Sequence, residues 1–260
     1  MMPSQKFLRD LQSRFGYLLD LKTDFQRSFR KFRKIPFEAE FEILNVLTPQ
    51  GRCAIDVGAN RGQSIDAIRL YHPKVQIYSF EPNKPLFEKL VFRFEADTNL
   101  DVQNMGLGRN EQTAKLFVPF YRKFMYDGLS SFTEERASKW LNEKTVWRFD
   151  PRLLRVERHL CHIDVLDKFS LEPFFLKIHV QGFEKDVLFG AKHTIRSHCP
   201  VLLMANNEDA NIWLRDEGWT QYAFIGGKLI ELEDNDLGIY NCLYLHDQNQ
   251  EHRDIVKALT

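Results

Sequence analysis

The sequence predicts an α/β domain built on a mostly parallel sheet with helices on both faces, and three observations carry that prediction. Strand-like and helix-like runs alternate from residue 52 onward, the pattern of strands joined by crossover helices. The stretch "AIDVGANRGQS" at 54–64 ends an apolar run in an acid and then breaks into glycines, as a strand does when a nucleotide-like ligand lies across its carboxyl end. The next strand-like run, "VQIYSFEP", also ends in an acid, followed by proline.

Taken in order, the chain opens with a basic arm. Residues 6–34 carry nine Lys/Arg against three Asp, 9 − 3 = +6, so the rest of a chain with zero formal net charge sums to −6. Leu8, Leu11, Phe15, Leu18, Phe25, Phe29 and Phe32 step by three and four, with Lys22 as the one interruption. That spacing lays an apolar seam along a helix. Three readings fit it: a helix packed on its own domain, a coiled-coil-like homodimer seam, or a basic amphipathic helix on an anionic membrane. Pro36 breaks the arm, and a short helix over about 37–47 leads into the domain, giving an arm at 1–47 and a domain at 48–260.

Within the domain, "RCAIDVGA", "VQIYSFEP" and "LDVQNMGLG" read as strands, with "GQSIDAIRLYH" and "KPLFEKLVFRFEA" as the helices between them. Residues 109–174 are too long for a bare connection and are expected to form a lid or substrate wall. Inside this insert, "TAKLFVPFY" and "RLLRVERHLCHIDV" read as strands and "TEERASKWLN" as a helix capped by Thr133. Beyond it, "FFLKIHV" and "PVLLMAN" read as strands, "EKDVLFGAKHTIRSH" as one helix that includes Gly190, and "NIWLRDEG" as a helix closed by glycine. The last segments, on either side of Gly226-Gly227, suggest antiparallel strands paired as a hairpin.

Composition narrows the function. A length of 260 residues with 43% hydrophobic content suits one large core. Neutral net charge argues against nucleic acid as a partner. Cys53, Cys161, Cys199 and Cys242 form no CxxC pair, and His159, Cys161 and His162 match no zinc spacing, so no metal is expected. Scattered buried thiols, with no membrane-spanning run or signal peptide, point to a cytoplasmic protein, and the arm offers contact with the inner face of the membrane or a homodimer.

Asp56, Gly58 and Gly62 give an acid followed by G-x-x-x-G, not the G-x-G-x-x-G of dinucleotide folds. A carboxylate there repels a pyrophosphate but suits the ammonium and sulfonium of S-adenosylmethionine, and glycines let the backbone come close to the ligand. Glu81, at the second strand end, is placed to accept hydrogen bonds from a ribose diol. An NAD-dependent enzyme fits the loop less well.

"DVGANRGQS", "FEPN", "NMGLG", "GLSSF", "VLDKF" and "LKIHVQGFEKDVLFGA" follow one another as in FkbM-type methyltransferases, which the chain resembles over about residues 52–220. The resemblance implies a class I methyltransferase (Rossmann-like) fold with a seven-stranded sheet whose last strand is antiparallel. It also implies S-adenosylmethionine as cofactor, and a hydroxyl of a glycan or glycosylated metabolite as methyl acceptor. By it, Asp56, Gly58, Asn60 and Gly62 surround the methionine part, Glu81 takes the ribose, and Asn104 to Leu107 edge the adenine. Two departures stand out: His179 replaces an aspartate in the family's K-I-D-V-x-G-x-E, and Ala205 falls where the next strand usually ends in glutamate.

Methyl transfer from a sulfonium needs alignment and, for a hydroxyl acceptor, a proton acceptor. Strand alternation puts Lys177, His179 and Gln181 on one side. His179 is the expected base, titrating near neutral pH, with Lys177 beside it and Glu184 and Glu208 the next carboxylates in line. Structural roles for His179 and Lys177 stand as alternatives. Asp127, Ser130 and Ser131 line an acceptor pocket or form a turn and cap. Loss of two carboxylates also admits an inactive S-adenosylmethionine-binding scaffold.

Overall fold

The computed structural model describes residues 6, 10, 13, 14, 25, 27–30, 32–233 and 238–260; Leu8, Leu11, Phe15, Leu18 and Lys22 of the arm's seam lie outside the described residues. The chain divides into two compact units, one holding the described residues up to Arg33 together with Thr113–Cys161, the other Lys34–Gln112 and His162–Thr260.

The larger unit is an eight-stranded mixed sheet. Its strands are β1 (Cys53–Val57), β2 (Ile77–Phe80), β3 (Leu100–Gln103), β8 (Pro173–Ile178), β9 (Val201–Ala205), β10 (Trp219–Ile225), β11 (Lys228–Glu231) and β12 (Asn241–His246). They lie in the order β11-β10-β12-β9-β8-β1-β2-β3. β3, β2, β1, β8 and β9 run parallel, and β12 is antiparallel to both of its neighbours. The expected seven strands are exceeded by β11, which pairs with β10 across the Gly226-Gly227 turn. The last strand does not extend that hairpin; β12 inserts between β10 and β9. Burial explains the difference, since β12 buries Leu243 and Leu245 on one face and Cys242 and Tyr244 on the other, whereas β11 buries only Leu229. A strand that is apolar on both faces belongs inside a sheet, and one that is mostly exposed belongs at its edge.

Helices cover both faces. On one, a 3-10 helix (Ala39–Asn45), α1 (Gln63–Tyr71) and α7 (Gln250–Leu259) pack Phe41, Ile43, Leu44, Ile65, Ile68 and Ile255 against Ala54, Phe175 and Leu243. Residues 39–45 therefore belong with the sheet, so the arm is shorter than the expected 1–47. On the other face, α4 (Glu184–Gly190), α5 (Lys192–His198) and α6 (Glu208–Asp216) pack Val187, Leu188, Ile195 and Leu214 against Ile55, Leu176 and Tyr244. α2 (Lys84–Arg93) links β2 to β3. "LDVQNMGLG" does not remain one strand: after β3, β4 (Gly106–Leu107) pairs in parallel with the end of β7 (Leu154–Asp164).

The smaller unit contains β5 (Gln112–Tyr121), β6 (Phe124–Met125) and α3 (Glu134–Lys139) around Tyr121, Phe124, Tyr126, Leu141 and Val146. Thr133 precedes α3 without a capping side-chain bond, and its own N–H donates to Ser131 Oγ at 3.3 Å. Asp127 opens a 3-10 turn, Asp127–Leu129, whose carbonyl accepts from Ser130 N, and the Ser131 backbone bridges to Phe117. None of the four cysteines forms a disulfide.

The expected single helix over 184–198 is broken at Ala191. At Gly190 the Gly108 backbone passes so closely that a Cβ would sit 1.9 Å from the Gly108 carbonyl oxygen. Helix propensity alone favours alanine over glycine by about 1 kcal/mol. Gly190→Ala is nevertheless expected to destabilise the protein, by about 1–3 kcal/mol, because overpacking wins. Urea denaturation decides the sign, and a stabilised variant would remove the close approach.

Candidate functional site

In a doubly wound sheet, ligands bind outside the carboxyl ends of the strands where the order reverses. Here the reversal falls between β1 and β8, and the register sets Asp56 of β1 opposite both Lys177 of β8 and Ser79 of β2. The Asp56 side chain is 0% exposed. Its Oδ1 lies 2.9 Å from Lys177 Nζ, and its Oδ2 accepts from Ser64 Oγ at 2.6 Å and Ser79 Oγ at 3.3 Å. Lys177 also donates to the Gly58 carbonyl at 2.6 Å and the Val57 carbonyl at 3.3 Å. The ammonium thus donates two hydrogen bonds to backbone carbonyls and faces Asp56 as an ion pair, while Asp56 Oδ1 is a buried oxygen that accepts no hydrogen bond. Both side chains hold the end of β1 in place, and Asp56 Oδ1 keeps hydrogen-bond capacity.

The glycines also serve the protein itself. Gly58 has φ +81°, and a Cβ there would lie 2.2 Å from the His179 carbonyl oxygen. Gly62 has φ +84°, and its Cβ would meet Phe94 at 2.6 Å and Leu90 at 2.9 Å. Each permits a close approach of the chain to itself, where the sequence suggested approach to a ligand. Between them Asn60 takes the left-handed conformation, φ +50°, which asparagine tolerates better than most residues. Its N–H then donates to Glu81 Oε2 at 2.7 Å.

Glu81 is buried at the end of β2, and its Oε1 accepts from Asn83 N at 2.9 Å. Asn104 braces the same strand end, donating from Nδ2 to the Glu81 carbonyl at 2.9 Å. Burial raises the Glu81 pKa to about 7, against the lowering effect of the two N–H donors and the Lys177 charge. A carboxylate offers about four acceptor sites, and these two N–H bonds occupy two. The group is thus short of hydrogen-bond donors, and a vicinal diol supplies two.

Beyond β8 the chain turns sharply, with positive φ at Gln181 and Gly182. Glu184 is buried and closes that turn: Oε1 accepts from Val180 N at 3.2 Å and Gly182 N at 3.1 Å, and Oε2 from Asn207 Nδ2 at 3.1 Å. It orders the loop and leaves no oxygen free of a donor. Glu208 is exposed at the start of α6.

His179 is half-buried, with Nε2 3.0 Å from Tyr240 Oη and 3.2 Å from Gln181 Nε2. Burial, reinforced by Lys177, lowers the pKa to about 4. The expected titration near neutral pH is therefore corrected: the imidazole is neutral at pH 7 and a weak base, because it is removed from water beside a cation.

Three residues at this edge carry no motif. Tyr240 meets the His179 ring edge-on at 5.5 Å. Asn241 is buried and pairs with Ala205 across β12 and β9. Glu38, half-buried just before the 3-10 helix, lies near enough to the Asn241 side chain for that amide to lower its pKa. Its pKa is raised, first by burial and then by Glu40 and Asp56, with Lys177 opposing. Glu38 stands 18 residues before Asp56 in the sequence, outside every strand-end pattern, so no local signal marked it.

Among the described residues no group of three His, Cys, Asp or Glu side chains is arranged to hold a metal ion, and no helix is long and apolar enough to cross a membrane. The methyltransferase FkbM domain family matches residues 56–225. No curated protein matches the chain. Among solved structures, methyltransferase FkbM from Methylobacillus flagellatus KT is 16% identical with a TM-score of 0.47, covering 75% of this chain and 43% of its own. The chain thus spans less than half the length of that protein. Precorrin-6y C5,15-methyltransferase from Geobacter metallireducens GS-15 is 12% identical with a TM-score of 0.40, covering 78% and 86%.

Between pH 4.5 and about 7 the unfolded chain has released the Glu81 proton while the folded protein still holds it. The native state then binds more protons, so stability falls as pH rises through that window, and the full cost is present above pH 7. Glu81→Gln removes the ionisation. Its stability relative to wild type is expected to improve by on the order of 2–3 kcal/mol between pH 5 and pH 8. Urea titrations of both proteins at the two pH values measure this, and a pH-independent difference would place the Glu81 pKa in the ordinary range.

Proposed function

Because the chain belongs to the methyltransferase FkbM domain family, we propose that it transfers a methyl group from S-adenosylmethionine to a hydroxyl of a glycan or glycosylated metabolite. The observation that carries the cofactor assignment is Glu81, a buried carboxylate at the second strand end with acceptor capacity to spare. Asn60 and Asn83 aim it, and Asn104 fixes the strand end beneath it. When bound, the cofactor supplies an electrophilic methyl group on a sulfonium.

What this chain must add is alignment and a proton acceptor. Asp56, Lys177 and Glu184 are engaged in ordering the loops, and His179 is a weak base. We infer that Glu38 takes the acceptor hydroxyl's proton. It lies near Asn241, the strand partner of Ala205. His179 and Tyr240 orient the acceptor beside it. An inactive cofactor-binding scaffold is the second reading, favoured by His179 and Ala205 standing where the family resemblance places acids.

Glu81→Ala is expected to weaken S-adenosylmethionine binding by roughly 1.5–3 kcal/mol through lost charge-assisted hydrogen bonds; calorimetry measures it, and unchanged affinity would sink the ribose assignment. Activity is followed as label transferred from methyl-labelled S-adenosylmethionine to glycans extracted from cells lacking this protein. Turnover is expected to rise with pH through one ionisation above the ordinary glutamate value, since protonated Glu38 accepts nothing. Glu38→Gln should lose about 10²–10⁴-fold in turnover while still binding cofactor, and His179→Ala should lose less. A larger loss in His179→Ala would return the base to the imidazole. Cofactor binding without label transfer selects the scaffold.

A further inference from the structure

The two ends of the arm differ in a way its sequence period does not show. Near the start, Asp10 and Ser13 are buried, Asp10 pairs with Arg122 at 3.5 Å and Arg14 at 3.1 Å, and the Lys6 carbonyl accepts from Trp147 N. That end is built into the smaller unit. Farther on, residues 25, 27–30, 32 and 33 are helical, and Phe25, Phe29 and Phe32 stand 72%, 53% and 85% exposed. Their i, i+4, i+7 spacing puts all three rings on one helix face. Among the described residues, these three rings are thus not used up in packing, and a contiguous apolar face of this kind marks a docking surface.

Charge identifies what it docks on. Residues 22–34 carry Lys22, Arg27, Arg30, Lys31, Arg33 and Lys34 against Asp24, 6 − 1 = +5. A second copy of the same helix brings +5 against +5, so charge opposes a symmetric seam. An anionic lipid surface complements it, accepting aromatic rings at the boundary between headgroups and acyl chains while basic side chains meet the headgroups. We propose that this segment docks the protein on an anionic membrane surface, with Phe25, Phe29 and Phe32 entering the interface. The inference is independent of the methyl-transfer reading.

The test is flotation of the full chain with vesicles of phosphatidylcholine alone, or of phosphatidylcholine mixed with phosphatidylglycerol. The protein is expected to float with the anionic vesicles, to be released by raised salt, and to stay behind with neutral ones. Replacing Arg27, Arg30 and Arg33 together by alanine should weaken binding about a hundredfold, at roughly fivefold for each basic residue. Phe32→Ser changes the most exposed ring, so it should leave thermal melting unchanged while weakening vesicle binding at least about tenfold. Equal binding to both vesicles, no flotation of the folded wild type, full binding by Phe32→Ser, or a dimer in sedimentation that Phe32→Ser dissociates would each overturn the proposal.

Discussion

The ion pair between Lys177 and Asp56 sets the geometry on which the rest of the site depends. It joins the two strands at which the sheet order reverses, and Lys177 extends the link to the Val57 and Gly58 carbonyls. With that strand end fixed, Gly58 lies under the His179 carbonyl, Asn60 is turned into the left-handed region, and the Asn60 N–H reaches Glu81. Removing one partner of a buried pair costs about 3–5 kcal/mol because the other charge is left uncompensated. The pair therefore acts first through position.

The same cation shapes the titrations around it. Lys177 adds to burial in lowering the His179 pKa, and it opposes burial in raising those of Glu81 and Glu38. Around one buried ammonium stand a neutral imidazole and two carboxyl groups held above their ordinary range. Groups whose environments push their pKa values in opposite directions are the usual raw material of acid and base roles. Here burial lowers the basicity of the imidazole and raises that of the carboxylates, which is why the proton acceptor is sought among the acids.

Local physics explains what several motif residues do for the protein itself. A strand-end acid and two glycines look the same in a sequence whether they face a ligand or face the protein. Gly58 and Gly62 are required because backbone and aromatic side chains lie where a Cβ would go, and Glu184 is required because the turn at Gln181 and Gly182 leaves N–H groups to satisfy. Motif spacing records that a small or acidic residue is needed, not what it meets.

The sequence by itself determined the alternation of strands and helices, the parallel core of the sheet, the FkbM methyltransferase resemblance and the places of Glu81 and Asn104 at strand ends, because these follow from hydrophobic period and from residues close together in the chain. Tertiary structure decided the rest. β12 moved inside the sheet because both of its faces are apolar, 184–198 broke in two at Ala191, next to the Gly108 approach at Gly190, and the His179 pKa fell because of burial and then Lys177. Glu38 and Tyr240 reached the strand edge from segments that carry no strand-end motif. Each of these outcomes depends on groups distant in sequence sharing one low-dielectric volume, and periodicity within a single segment holds no record of such meetings.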